Sequence, residues 1–372
     1  MSRVAVVGGG CTGASVAYHL AARGVHVTLY ERDVLASGPT GRSTAIVRQY
    51  YSHPLLVRMA MHGLDVYSLF DEVGSSAFVQ TGVLWVTDEA GRETLERNVR
   101  GARAVGAELE LVTPEQLHEL EPRIAIDELA TVCYEPHAGV CDPHTATVSY
   151  ARAAERLGAD IREHGAVPSL DRLDADAVVV AAGPWSPPLL APLGYELPLR
   201  VARAEVGRWR LPRDDEALPA LADLSRLDFY FLPAGRGYLE VGTLDPSHAD
   251  RPVDPDACPE GAERETLAHF RTSLERRVPS ARGGHWRGSW SGLYDVTPDW
   301  HPAIGRVPGS DAVYVAAGFS GHGFKLAPAV GLSIAELILD GAAHTFDLGP
   351  LDPERFVRGD LLEPHYGYSV IA

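Results

Sequence analysis

The run from Val4 to Val7, followed by Gly8-Gly9-Gly10-Cys11-Thr12-Gly13 and then ASVAYHLAARG, constrains the fold more than any other part of the chain. Four β-branched or small apolar residues predict a strand, and Ala14, Ala17, Leu20 and Ala21 share one helical face. The unit is therefore strand, glycine turn, helix. Gly8 permits the tight turn, Gly10 lets backbone approach a pyrophosphate, and Gly13 lets helix and strand pack closely, with the helix N-terminus turned toward the anion. A second strand, Val25 to Tyr30, ends in Glu31, the position from which a carboxylate accepts hydrogen bonds from ribose hydroxyls. Thr12 in the turn and Arg32 after the carboxylate complete a first set of dinucleotide contacts.

The next segment, ASGPTGRSTAIVRQYY, abandons the apolar pattern and is rich in Gly, Ser and Arg, which suits a loop around a larger cofactor. Thr40, Arg42, Ser43 and Thr44 are its candidate contacts. Farther on, ADAVVVAAGPW reads as a buried strand entering a small-residue turn, so Ala182, Gly183 and Trp185 join the list, with Val167 upstream. Near the end, Val313 to Ala317 predicts another strand, Gly318 to Gly323 holds three glycines, and Leu326 to Leu339 predicts an apolar helix. Gly321, His322, Gly323 and Lys325 are the cofactor candidates there, with Gly292 ahead of them in the chain. GFSGHG nearly matches a G-x-S-x-G nucleophile elbow, but His322 stands where the last glycine belongs, so serine hydrolysis is set aside.

Composition narrows the partners. A formal charge of -17 over 372 residues disfavours nucleic acid and anionic membranes. The opening MSRVAVVGGG has no signal-peptide pattern and no apolar run reaches membrane-spanning length, so a cytoplasmic location is expected. Four dispersed cysteines and fifteen histidines without helical pairing predict neither a disulfide scaffold nor a metal site. Of 33 Lys and Arg residues a single one is lysine, Lys325, in GFSGHGFKLAP. An ammonium is a compact point charge and guanidinium a wide planar fork, so a tight pocket built for one rejects the other.

Taken together, the amino-terminal glycine motif with Glu31, TGRS-x-x-x-x-R at Thr40 to Arg48, GLYDVTPDWHPAIG at Gly292 to Gly305 and AAGFSGHGFK at Ala316 to Lys325 make the chain resemble the FAD-dependent amine and amino-acid oxidases of the D-amino-acid oxidase superfamily, in particular the sarcosine oxidase branch. The resemblance spans nearly the whole chain. It implies an α/β plus α+β protein: a Rossmann-like FAD-binding domain, at residues 1-75, 143-200 and 296-372, interleaved with a mixed, largely antiparallel-sheet substrate domain at 76-142 and 201-295. The Pro-rich stretches WSPPLLAPLGYELPL and DRPVDPDACPEG are expected as domain-crossing or surface loops.

By the same resemblance, Lys325 and Arg48 hold a substrate carboxylate beside the flavin, while Tyr294 and Tyr230 orient the substrate. Two cations gripping one carboxylate fix the adjacent carbon for hydride transfer to flavin N5, giving an imine. A substrate bound as ammonium must first lose its proton, so activity should rise with pH. Two departures qualify the likeness. The relatives' flavin-linking cysteine is replaced by Gly292, and no cysteine is near in sequence, so FAD is expected to be non-covalent, with attachment through a histidine, which other relatives use, the alternative. Where they place a lysine above the flavin, the alignment gives Glu240. The expected activity is oxidation of an amino acid, secondary or cyclic; the alternatives are an amino-acid or 2-hydroxy-acid dehydrogenase using another acceptor, and a flavin subunit of a larger electron-transfer complex. No protein partner is specified by the sequence.

Overall fold

The structure is a computed structural model, described here for residues 3–213 and 217–362. Its first sheet has six strands in the order Ala303–Arg306, Val313–Ala317, Ala177–Val180, Arg3–Val7, His26–Tyr30 and Asp160–Arg162. All neighbours pair parallel except Ala303–Arg306, which turns back antiparallel on Val313–Ala317. Parallel strands need both faces covered, and the near-continuous apolar runs VAVV, AVVV and VYVAA provide for that. The glycine turn leads into the helix Cys11–Ala22, which packs between the helices Pro143–Arg156 and Gly323–Asp340. Small residues permit the close approach: a Cβ on Gly331 would lie 2.2 Å from Ser15 Oγ.

The second sheet has eight strands in the order His285–Val296, Arg200–Arg210, Tyr238–Thr243, Phe229–Pro233, Ala220–Asp223, Val83–Thr87, Thr131–Glu135 and Glu110–Val112. It is antiparallel throughout except where Ala220–Asp223 runs parallel to Val83–Thr87. That junction joins segments far apart in sequence. Phe229, Phe231, Val241, Trp209, Phe270 and Leu274 fill the core beneath one face. A small three-stranded sheet, Ile46–Val47, Gly139–Val140 and Val79–Gln80, ties the two large sheets together. Gly139 is required there, since a Cβ would meet Val79 O at 2.2 Å.

Two sequence expectations shift in detail. The Pro-rich stretch after Trp185 is not wholly loop: Ser186–Leu190 is helical, with its prolines in the first turn, where no amide hydrogen is needed. The carboxy-terminal helix starts three residues earlier than its apolar pattern, at Gly323, and includes Pro328. Pro328 cannot donate to the carbonyl of Phe324, and the Tyr67 hydroxyl donates to that carbonyl instead, at 2.9 Å. No helix among the described residues is long and apolar enough to cross a membrane.

Candidate active site

A cavity of about 690 Å³ lies where the two large sheets meet, within the usual size of ligand pockets. One end is the glycine turn. Gly8 has φ +116°, and a Cβ there would stand 2.3 Å from Ala181 O, so both conformation and space demand glycine. Gly10 and Thr12 line the cavity. Gly13 does not; its bare Cα backs onto Gly8 O, where a Cβ would approach to 1.9 Å. The helix Cys11–Ala22 begins at Gly10, which offers no side-chain cap, and has no acid in its first turn; Cys11 N donates to Thr40 Oγ1 at 3.2 Å, and the rest of its positive end faces the cavity, where an anion is favoured. Glu31 is anchored by Gly9 N, donating to Oε2 at 2.7 Å, and Asp33 N, donating to Oε1 at 2.8 Å. Each oxygen keeps a lone pair for a ribose hydroxyl.

Val167, Ala182, Gly183, Arg32 and Trp185 form the adjoining wall. Arg32 lies over the Trp185 ring at 4.3 Å, and both donate to Asp256 at 2.9 Å. Arg42, also on the wall, forks onto Glu260 at 2.8 and 2.9 Å and donates to Ser291 O. The segment carrying Asp256, Cys258 and Glu260 therefore straps over the cavity rather than standing off as a surface loop. It also brings Cys258 to the wall, 4.0 Å from Ser291 Oγ beside Gly292, a neighbour that sequence distance concealed.

Thr40 stays with the glycine turn, 3.2 Å from Cys11 N, whereas at the other end Ser43, Thr44, Gly292, Tyr230, Tyr294, Gly321 and Gly323 line the cavity. Each tyrosine is seated on a glycine: a Cβ on Gly242 would come within 2.4 Å of the Tyr230 ring, and one on Gly321 within 2.9 Å of Tyr294. Burial pushes the Tyr294 hydroxyl up to about 12 and that of Tyr230 higher still, so both are protonated donors at neutral pH. The loop before the last helix is held by Asp295, whose carboxylate accepts from Gly318 N at 2.7 Å. Burial raises Asp295 to about 6. Ser320 is fully buried with φ +51°, which removes it from any nucleophilic role and marks a constrained turn.

Lys325, Arg48 and His322 are brought together just behind this end, and none is on the cavity wall itself. Arg48 follows the small-sheet strand Ile46–Val47 and is buried between the rings of Tyr51 and Trp85, 4.3 and 4.7 Å from their centroids. Its guanidinium donates to Tyr50 O and approaches His322 Nδ1 at 3.5 Å, and the Tyr51 hydroxyl lies 3.2 Å from the same nitrogen. His322 thus packs behind the arginine. Lys325 is buried in the first turn of its helix, and its ammonium has no hydrogen-bond or ion-pair partner among the described residues. Burial first, then repulsion from Arg48, hold its pKa well below the usual lysine range. Glu135, which no local signal in TVCYE singled out, is the buried anion of the cluster.

Glu240 is buried rather than superficial. It forms an ion pair with Arg208 at 2.6 Å across adjacent strands and lies off the cavity wall. No group of metal-ligating side chains occurs among the described residues.

The open helix terminus, the anchored Glu31 and the elongated cavity fit a dinucleotide, and the buried cations with two tyrosine donors at its far end fit an anionic substrate: the class is a dinucleotide-dependent oxidoreductase. The chain belongs to the FAD dependent oxidoreductase family, DAO, whose profile matches residues 3–337. It is a flavoprotein oxidoreductase with FAD as cofactor. The chain is 32% identical, over 95% of its length, to 4-methylaminobutanoate oxidase (formaldehyde-forming) of Paenarthrobacter nicotinovorans, of which it spans 45%, under half. Human peroxisomal sarcosine oxidase is 29% identical over 94% of this chain and 95% of its own. Among solved structures, L-proline dehydrogenase from P. horikoshii superposes with a TM-score of 0.87 at 28% identity, covering 97% of this chain and 99% of that one.

Proposed function

We propose that the protein oxidises a secondary or cyclic amino acid at a carbon bonded to the nitrogen. The observation that carries this reading is the buried side chain of Lys325 beside Arg48, with no hydrogen bond or ion pair to the lysine side chain among the described residues. Two cations crowded in a low-dielectric site are costly unless an anion joins them, and a carboxylate supplies that anion with charge-assisted hydrogen bonds. The similar proteins named for 4-methylaminobutanoate, sarcosine and L-proline support the choice, because each of those compounds joins a secondary amine to a carboxylate.

Gly8, Gly10, Thr12, Glu31, Thr40, Ser43 and Thr44 would hold FAD, with Gly292, Gly321 and Gly323 leaving room at its reactive end. FAD, when bound, supplies the two-electron acceptor for the hydrogen on the carbon beside the amine. Lys325 and Arg48 fix the carboxylate, and the Tyr294 and Tyr230 hydroxyls orient the rest of the substrate. No side chain is needed as acid, and an amine that arrives protonated loses its proton before reaction. We assign residues 1-75, 143-200 and 296-372 to the FAD domain and 76-142 and 201-295 to the substrate domain; the strands of the six- and eight-stranded sheets divide along those boundaries to within a residue. Gly292 removes the relatives' linking cysteine, and FAD is non-covalent in this reading. Cys258 stands on the cavity wall near Gly292, so acid precipitation of wild type and Cys258→Ser, with all the flavin released from both, is the check.

Amino-acid oxidation is tested by anaerobic bleaching of the flavin with a panel of N-methylated, cyclic and primary amino acids. Bleaching by none of them refutes the proposal. Readmitting air separates the acceptors: slow return of the oxidised spectrum favours the dehydrogenase reading, which the sequence alignment of Glu240 with the relatives' lysine supports, although the Arg208–Glu240 pair lies off the cavity wall.

A further inference from the structure

Glu135 ends the strand Thr131–Glu135 and is fully buried. Its two oxygens accept from Gln49 N at 2.6 Å, Tyr50 N at 3.3 Å and Trp85 Nε1 at 2.7 Å. Those three donors belong to the residues that hold Arg48. Gln49 and Tyr50 are the next residues in the chain, the Tyr50 carbonyl accepts from the guanidinium, and the Trp85 ring, stacked on Tyr50 with 4.7 Å between centroids, carries the guanidinium on its face. A single carboxylate thus fixes both the backbone and the indole that aim the arginine. Its charge also reaches Lys325, whose charged form it favours while Arg48 and burial oppose it; Cys11 is the other titratable group facing that ammonium, and His322 lies beside Arg48.

We propose that Glu135 is a positioning residue for Arg48 and the built-in counter-charge that fits the Lys325–Arg48 pair to a substrate bearing one carboxylate rather than two. The proposal rests on the carboxylate reading given above. Burial raises the Glu135 carboxyl while its three donors and Arg48 oppose that shift, and a bound carboxylate favours the charged form of Lys325. In their charged forms two cations and one buried anion leave a single net positive charge, which one carboxylate neutralises. A second carboxylate on the substrate would enter with no cation left to meet it, at the full cost of an unpaired buried charge. Glu135 therefore sets specificity without touching substrate.

The test uses the FAD-loaded protein and two near-isosteric anions, propionate and malonate, titrated against the flavin absorbance between pH 7 and 10. Wild type should bind propionate about tenfold or more tighter than malonate. In Glu135→Gln the ratio should move toward malonate by about tenfold, and the high-pH limit of propionate binding should fall by roughly one pH unit, because Lys325 loses its supporting charge. Glu135→Asp, which keeps the charge, should retain the wild-type ratio. An unchanged ratio in a Glu135→Gln protein that still holds FAD would reduce Glu135 to a structural role and overturn the proposal. If that variant fails to hold FAD, the wild-type ratio decides, and malonate binding as tightly as propionate overturns it equally. Silence of both anions in wild type would instead remove the carboxylate reading, and this proposal with it.

Discussion

Gly63 offers the sharpest mechanical test of how the cationic site is held. It lies in the helix Pro54–Ser68, where that helix crosses the backbone of Lys325, and a Cβ added there would stand 2.0 Å from Lys325 O. Relief to an ordinary contact of 3.4 Å requires the two backbones to separate by about 1.4 Å. Neither backbone is free to yield: Tyr67, one turn along the same helix, donates to Phe324 O, next to Lys325. Gly63→Ala should therefore cost about 1–3 kcal/mol in stability, despite the better helix propensity of alanine. A displacement of about 1 Å in a substrate-positioning residue costs on the order of 100-fold in rate, so flavin reduction should fall by about that factor while FAD stays bound. Gly101→Ala is the control, since nothing lies within 4 Å of its Cβ and it sits inside the helix Arg92–Ala104; a gain of about 0.5–1 kcal/mol is expected. Chemical denaturation and anaerobic stopped-flow reduction measure both effects. A Gly63→Ala protein with wild-type stability and a reduction rate within twofold would refute the packing argument.

Other consequences follow from the buried acids. Asp295 is raised from 3.8 to about 6 by burial, so in the folded state it holds its proton longer than in the unfolded chain. Its contribution to stability is full below about pH 4 and is lost as pH rises through about 6, so wild type should lose about 3 kcal/mol relative to Asp295→Asn across that window in pH-dependent denaturation. Glu31→Gln replaces one of two acceptor oxygens with a donor facing an amide hydrogen, and FAD affinity by fluorescence titration should weaken about tenfold or more; unchanged affinity would argue against the ribose assignment. Arg355→Leu strands the fully buried carboxylate of Asp299, now paired at 2.8 and 3.0 Å, and should destabilise by about 3–5 kcal/mol with loss of the turn at His301.

What the sequence made legible follows from how local each signal is. The strand, glycine turn and helix at Val4 to Ala21 are contiguous, as are the last parallel strand and its glycine loop, and their spacing alone announces a nucleotide fold. Lys325 was conspicuous because it is the one lysine among 33 basic side chains. Glu135 carried no such mark: its partners Gln49 and Tyr50 are more than 80 residues away, and an acid closing an apolar strand looks like a solvated strand end. Gly63 gave no signal in the sequence, because the backbone it must admit, that of Lys325, lies more than 250 residues away. The Pro-rich segment around Asp256 and Glu260 read as a domain-crossing or surface loop, and which residues it reaches was hidden because Arg32, Trp185 and Arg42 lie more than 70 residues earlier. Cys258 was discounted by sequence distance for the same reason. Long-range polar pairing is what a single sequence conceals.

The central claim is that Lys325 and Arg48 hold the substrate carboxylate, and Lys325→Arg tests it most directly. The variant keeps a positive charge but exchanges a compact ammonium for a wider planar head group in a buried site. With the amino acid that bleaches wild-type flavin fastest, the account predicts that Lys325→Arg retains FAD yet loses reduction by about 100-fold or more, with weakened binding of simple carboxylates. Equal reduction rates and equal carboxylate affinity in the two proteins would contradict it.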